Sequence, residues 1–138
     1  MADAMTIAAS GIQAAAQALF SVAANVANAD TNGPVPTTPP SQPVAQAPGS
    51  VYQPTIAVQS TTQNGGVAAS VQPSLPSYNL AYDPKAPYAN MQGMIASPNV
   101  DLATQVAVQI SAVNNLRANL AVFRAASRMY KSLLDIVV

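Results

Sequence analysis

Apolar side chains recur every seven residues at both ends of this chain. Near the start, Met5, Ile12, Leu19 and Val26 form one row, and Ala8, Ala15, Val22 and Ala29 form a second three residues further on. That spacing predicts a helix over residues 4–29 with a narrow, shallow seam. Gln13, Gln17, Ser21 and Asn25 mark its polar side, and the alanines let a partner helix approach closely. Toward the other end, Val106, Val113, Leu120 and Leu134 make one row, and Leu102, Leu116, Phe123, Tyr130 and Val137 make the other, interrupted by Gln109 and Ser127. A helix from Leu102 to Ile136 would be about 50 Å long at 1.5 Å per residue. Asn99 or Asp101 supplies its cap, in the run Pro98-Asn99-Val100-Asp101. A further stripe of Val108, Ile110, Val122 and Leu133 lies off that seam. One partner helix cannot cover both, so the surplus face calls for other subunits.

Between the helices the pattern changes. The first helix should stop in the segment Asn28 to Pro34, where asparagine and glycine accept left-handed conformations and proline cannot continue the helix. Residues 34–48 are proline-rich and predict an extended, mobile loop. Val51 to Gln59 and Gly66 to Pro73 read as two short strands around Asn64-Gly65-Gly66. In residues 74–98, Tyr78, Tyr82 and Tyr88 stand among turn residues, as aromatics that pin an irregular segment onto a helix. The expected fold is mainly α: two long terminal helices pair as an antiparallel coiled coil, with a Pro-rich loop and one short hairpin or extended segment between them. The corresponding divisions are residues 1–33, 34–98 and 99–138.

Composition narrows the chemistry. Of 138 residues half are hydrophobic, only 5% aromatic and 7% charged, with a formal net charge of zero. Small buried side chains contribute little area each, so a lone copy is marginal and association is expected. With neither cysteine nor histidine, thiol catalysis, disulfides, imidazole bases and the usual zinc or copper ligand sets are excluded. The acids are the scattered Asp3, Asp30, Asp83, Asp101 and Asp135, without the pairing that glycoside hydrolysis or two-metal chemistry requires. No Gly-rich phosphate loop is present. An enzyme is not expected, nor a cofactor, a metal or a small-molecule substrate. The first basic residue is Lys85, so the start does not read as a cleavable secretory signal, and no stretch reads as long and apolar enough to span a bilayer. Arg117, Arg124 and Lys131 repeat every seven residues, with Arg128 beside them. Such a stripe is either a solvated face or a seam to a different subunit. Without interleaved aromatics it does not point to nucleic acid.

Two blocks carry a family resemblance. The first is Ile7-Ala8-Ala9-Ser10-Gly11-Ile12-Gln13-Ala14 followed by Val22-Ala23-Ala24-Asn25-Val26-Ala27-Asn28-Ala29-Asp30-Thr31, which resembles the amino-terminal signature of the bacterial flagellar rod and hook axial family. The second is Tyr82-Asp83-Pro84, then Pro98-Asn99-Val100-Asp101-Leu102 and a helix to the carboxyl end, which is similar to the proximal-rod members. The resemblance covers almost the whole chain. It implies a structural subunit that polymerises with copies of itself and other rod proteins into a torque-transmitting shaft. It also implies export by the flagellar type III apparatus without cleavage, and a place in the periplasm inside the basal-body rings. Asn25, Asn28, Ala29 and Asp30 would serve a subunit-packing turn, and Val100, Asp101 and Leu102 would begin the carboxyl-terminal helix. The interface is expected along Met5, Ile12, Leu19, Val22 and Val26, and along Val106, Val113, Leu116, Leu120, Phe123, Tyr130 and Leu134. The chain departs from the family in lacking basic residues in its first helix and in the proline content of residues 34–48. The alternatives are another axial protein, of the distal rod or hook, or a soluble helical secretion adaptor.

Overall fold

A computed structural model of the chain describes residues 2–136. Met1, Val137 and Val138, which the expected divisions and one heptad row include, lie outside the described residues. The alanine-rich opening forms α1 (Ala2–Ala27). Its end is set by Asn28, whose backbone N–H and side-chain amide both donate to the Ala24 carbonyl, at 3.1 and 2.9 Å. None of the residues from Asn28 to Gly33 takes the left-handed conformation expected there. Gly33 is needed for a different reason. It exchanges two 3.0 Å backbone hydrogen bonds with Ala96, and a Cβ at its position would stand 2.3 Å from the Val51 nitrogen.

Four strands follow: β1 (Thr55–Thr61), β2 (Val67–Pro73), β3 (Tyr78–Tyr82) and β4 (Met94–Pro98). β1 and β2 form an antiparallel hairpin with Thr55 opposite Pro73 and Thr61 opposite Val67. Gly65 and Gly66 close it at φ of 74° and 97°, values that favour residues without a Cβ. The hairpin lies on α1, where Gly66 sits against Ser10 and the Val67 N–H donates to the Ser10 hydroxyl at 3.1 Å. β3 and β4 pair as a second antiparallel sheet, Tyr78 opposite Pro98 and Tyr82 opposite Met94. Among the described residues this sheet makes no close approach to either helix.

The chain closes with α2 (Leu102–Ile136), which runs antiparallel to α1. Asn25 hydrogen-bonds Gln105, and a Cβ on Gly11 would stand 2.5 Å from the Asn119 side chain. The seam is built of small groups: Ala8, Ala15 and Val22 on α1 and Ala112 and Ala126 on α2 are buried. A separate core of Val44, Val51, Tyr78 and Ala96 joins the second sheet to the Pro-rich segment.

These observations correct the expected fold class. The chain is not a long-helix coiled coil with one short hairpin; it has two helices and four strands in two antiparallel sheets. The error has two physical sources. On α1 the row of Ala8, Ala15 and Val22 is the seam, but on α2 the seven-residue periodicity marked large side chains whereas the contact is made by Ala112, Asn119 and Ala126, so the large rows lie beside the seam. The second sheet was hidden by prolines. Tyr78 does not pin a loop onto a helix: its hydroxyl donates to the Thr38 carbonyl at 2.8 Å, while Tyr82 and Tyr88 are exposed. Residues 34–48 are tied down through acceptors that proline retains. The Ser77 N–H and hydroxyl donate to the Pro40 carbonyl at 2.8 and 3.0 Å, and the Val44 N–H donates to Gln53 Oε1 at 2.8 Å. A further correction concerns α1, whose Asp3–Ala27 stretch is long and apolar enough to cross a membrane by length and composition, with a mean hydropathy of 1.4. In this fold that stretch packs against α2 and the hairpin.

Candidate assembly interface

Asn25 is the polar centre of the helical unit. Only 2% exposed, its side-chain amide donates to the Thr55 carbonyl at 2.8 Å and to Gln105 Oε1 at 3.1 Å. Its Oδ1 accepts from the Thr55 N–H at 2.9 Å and from the Tyr52 hydroxyl at 3.2 Å. Two donors and two acceptor positions are thus all used. The pairing with Thr55 imitates a strand ladder, so one side chain registers β1, α1 and α2 against each other. Neighbouring Asn28 caps α1, and Asp30 is exposed in the turn that follows, where its carbonyl accepts from the Asn32 N–H at 2.9 Å.

The start of α2 resolves its two candidate caps. Asp101 accepts from the Ala103 N–H at 3.3 Å, from the Thr104 N–H at 3.1 Å and from the Thr104 hydroxyl. These bonds stabilise the carboxylate, the Thr104 hydroxyl most of all, and hold its pKa below the ordinary value. Asn99 instead donates to the Pro76 carbonyl at 3.0 Å and accepts from Asn79 at 2.9 Å, fastening the approach to α2 onto β3. Val100 is half-buried and Leu102 exposed.

The remaining interface candidates divide by their distance from the alanine seam. Val22 is buried; Met5, Ile12, Leu19, Val113, Leu116, Leu120 and Phe123 are half-buried; Val26, Val106, Tyr130 and Leu134 are exposed. The hairpin lies on α1, and between it and α2 Ala57 and Val108 help to line a cavity of about 170 Å³. Among the described residues no element covers the opposite side. There Leu19, Val22, Ala23, Val26, Ala27 and Gln109 line a groove of about 270 Å³. Ile110, grouped with Val108 by the sequence, is seven residues before Arg117 and so shares its flank instead; it is 58% exposed. Residues 129–136 extend beyond the level of Ala2, with Met129, Tyr130, Leu133 and Leu134 all about half exposed.

Arg117, Arg124, Arg128 and Lys131 follow on the same flank, all exposed. Phe123, Arg124, Ser127, Arg128 and Lys131 border a shallow depression of about 360 Å³, and Arg128 Nε donates to the Arg124 carbonyl at 3.4 Å. Among the described residues no carboxylate forms an ion pair with any of the four, and no group of three or more acidic side chains is placed to hold a metal.

Sequence reasoning missed Tyr52, Thr55 and Gln105 as partners of Asn25. No periodicity marks them. Gly11 did carry a signal, since a glycine inside a helical run often marks a close approach.

No family model matches the chain. It is 34% identical over 123 residues to the flagellar basal-body rod protein FlgC of Escherichia coli O6:H1, covering 89% of this chain and 87% of that protein. It is 35% identical over 130 residues to FlgC of Yersinia enterocolitica, covering 92% and 91%, and 33% identical over 123 residues to FlgC of Salmonella typhimurium, covering 89% and 87%.

Proposed function

This chain belongs to the FlgC family of flagellar basal-body rod proteins, and from that premise we propose that it is a structural subunit of the proximal rod which polymerises through its terminal helices. Residues 1–33 and 99–138 form the polymerising unit, and residues 34–98 decorate it. The subunit leaves the cytoplasm by the flagellar export apparatus, and it assembles in the periplasm beside other rod proteins and within the basal-body rings. It is not an enzyme.

One observation carries this reading: α2 keeps large apolar residues exposed from Leu102 to Leu134, although α1 lies along it. Burying such surface is worth roughly 25 cal/mol per Å², so copies that meet along α2 gain what the single chain leaves in water. Torque follows from packing. Interlocked helices at close-packed density resist twist, because turning one past another requires knobs to leave their holes.

Deleting the gene should leave cells without hooks and filaments, and normal motility in such a strain overturns the proposal. Cysteines placed at Leu19 and Leu116 should give cross-linked ladders in isolated basal bodies. Cross-links confined to one chain would count against polymerisation by these helices.

A further inference from the structure

The uncovered side of the helix pair has a chemical asymmetry that this chain cannot answer by itself. Its apolar surface starts at Leu19, Val26 and Val106 beside Gln109 and continues along α2 through Val113 to Leu120, from where Arg117, Arg124, Arg128 and Lys131 flank the rest of the helix, with Phe123 and Ser127 beside them. The two helices offer only one acid each, Asp3 near the start of α1 and Asp135 near the end of α2. Of the others, Asp101 is engaged as a cap, Asp83 accepts from the Lys85 N–H at 3.2 Å and Asp30 lies in a turn. A second copy laid on this side would bring apolar residues but no row of carboxylates. If it came by α2 it would set cations against cations, which disfavours pairing at seam-flanking positions.

We infer that this side receives an amphipathic helix from a different protein, one with an apolar seam and a carboxylate at every seventh residue. The inference rests on the assembly reading above and names the partner chemistry of one of its faces. The spacing argues for a helix. Arg117, Arg124 and Lys131 stand about 10.5 Å apart at 1.5 Å per residue, the repeat of a coiled-coil flank, whereas phosphates along one nucleic-acid strand recur at about 3.4 Å. The adjoining row of Val113, Leu120 and Leu134, interrupted by Ser127, is what a partner's apolar seam would occupy, and a nucleic acid or lipid headgroup has no use for it in that register.

The test uses the full chain and two synthetic helical peptides of about four heptads. Both carry leucine in the seam; one carries glutamate at a flanking position of every heptad, and its twin carries lysine there. By fluorescence anisotropy at low salt the glutamate peptide should bind at least about tenfold more tightly than the twin, and the preference should shrink in about 0.5 M NaCl. Combining Arg124→Glu, Arg128→Glu and Lys131→Glu should invert the preference. The milder pair Arg124→Gln and Lys131→Gln should bring it close to unity, with circular dichroism confirming that each variant is folded. Equal binding of the two peptides overturns the inference. So does indifference to charge reversal, or equal competition by oligouridylate or phosphatidylserine vesicles. Light scattering on the same samples separates this from the assembly reading. Should charge reversal abolish association between copies, the stripe serves copies and the inference falls while the assembly reading stands. Should the natural chain never associate with itself yet select the glutamate peptide, the self-assembly part of that reading falls and this face remains.

Discussion

The two helices are built from similar alphabets and end in opposite situations. α1 is flanked on two sides, by α2 and by the hairpin, and its buried positions are Ala8, Ala14, Ala15, Ser21, Val22 and Asn25. α2 buries only Ala112 and Ala126 among its described residues; Val113, Leu116 and Leu120 are half-buried, and Leu102, Val106, Val122, Tyr130 and Leu134 are exposed. The difference is one of side-chain size. Small residues let neighbours come near enough for backbone and amide groups to bond, which satisfies α1 within the chain. Large residues hold neighbours off and need a matching surface. α1 organises the subunit, and α2 carries its unmet demand for partners.

The sharpest way to break this contrast is at Asn25. Asn25→Leu leaves the Thr55 N–H and carbonyl, the Tyr52 hydroxyl and Gln105 without their partner, and should cost about 2–4 kcal/mol by urea unfolding. A change near zero would mean that α1 does not depend on this centre. Next comes Ala15, at 2% exposure, for which Ala15→Leu should destabilise by about 1–3 kcal/mol through overpacking and loosen α1 from its neighbours in amide exchange. On α2 the expectation reverses. Ile110→Ser should move stability by no more than about 0.5 kcal/mol while shifting sedimentation toward smaller species, and a large loss of stability would show that α2 is satisfied within one chain after all.

The smallest effect belongs to Asp101. Its pKa is lowered in the folded state by its bonds to Thr104 and Ala103, so the folded form binds the proton less readily than the unfolded one. Its stabilisation is present in full above the unfolded pKa and fades as the pH falls through the lower folded value. A pH series of thermal unfolding should therefore show a slight acid-side loss that Asp101→Ala removes.

Helix extents were legible because long runs at a constant spacing outweigh local noise. α2 begins at Leu102 as the Pro-Asn-Val-Asp run predicts, and α1 ends at Ala27, two residues early, because Asn28 turns its amide back onto Ala24. The β1–β2 hairpin was signalled by Gly65 and Gly66, although it starts at Thr55 and not Val51. The second sheet was illegible. Tyr78–Tyr82 and Met94–Pro98 are five residues each and are flanked by prolines, and their partners are fixed by Gly33 and by proline carbonyls that no local pattern announces. Within the candidate site, the large heptad residues and the cations could be named from spacing. Asn25 was marked by family likeness as part of a packing turn, while its bonds reach Thr55 and Gln105, thirty and eighty positions away. Contacts that distant leave no trace in a window of sequence.

That distance has a consequence for timing. A polypeptide emerges from the ribosome with its amino end leading, and whatever Asn25 needs from Gln105 is supplied only after most of the chain has appeared. Until then the amide is left to water, and the alanine-rich segment around it has too little to bury to hold its shape alone. The newborn chain therefore postpones its commitment, and the last segment made decides when the first one settles.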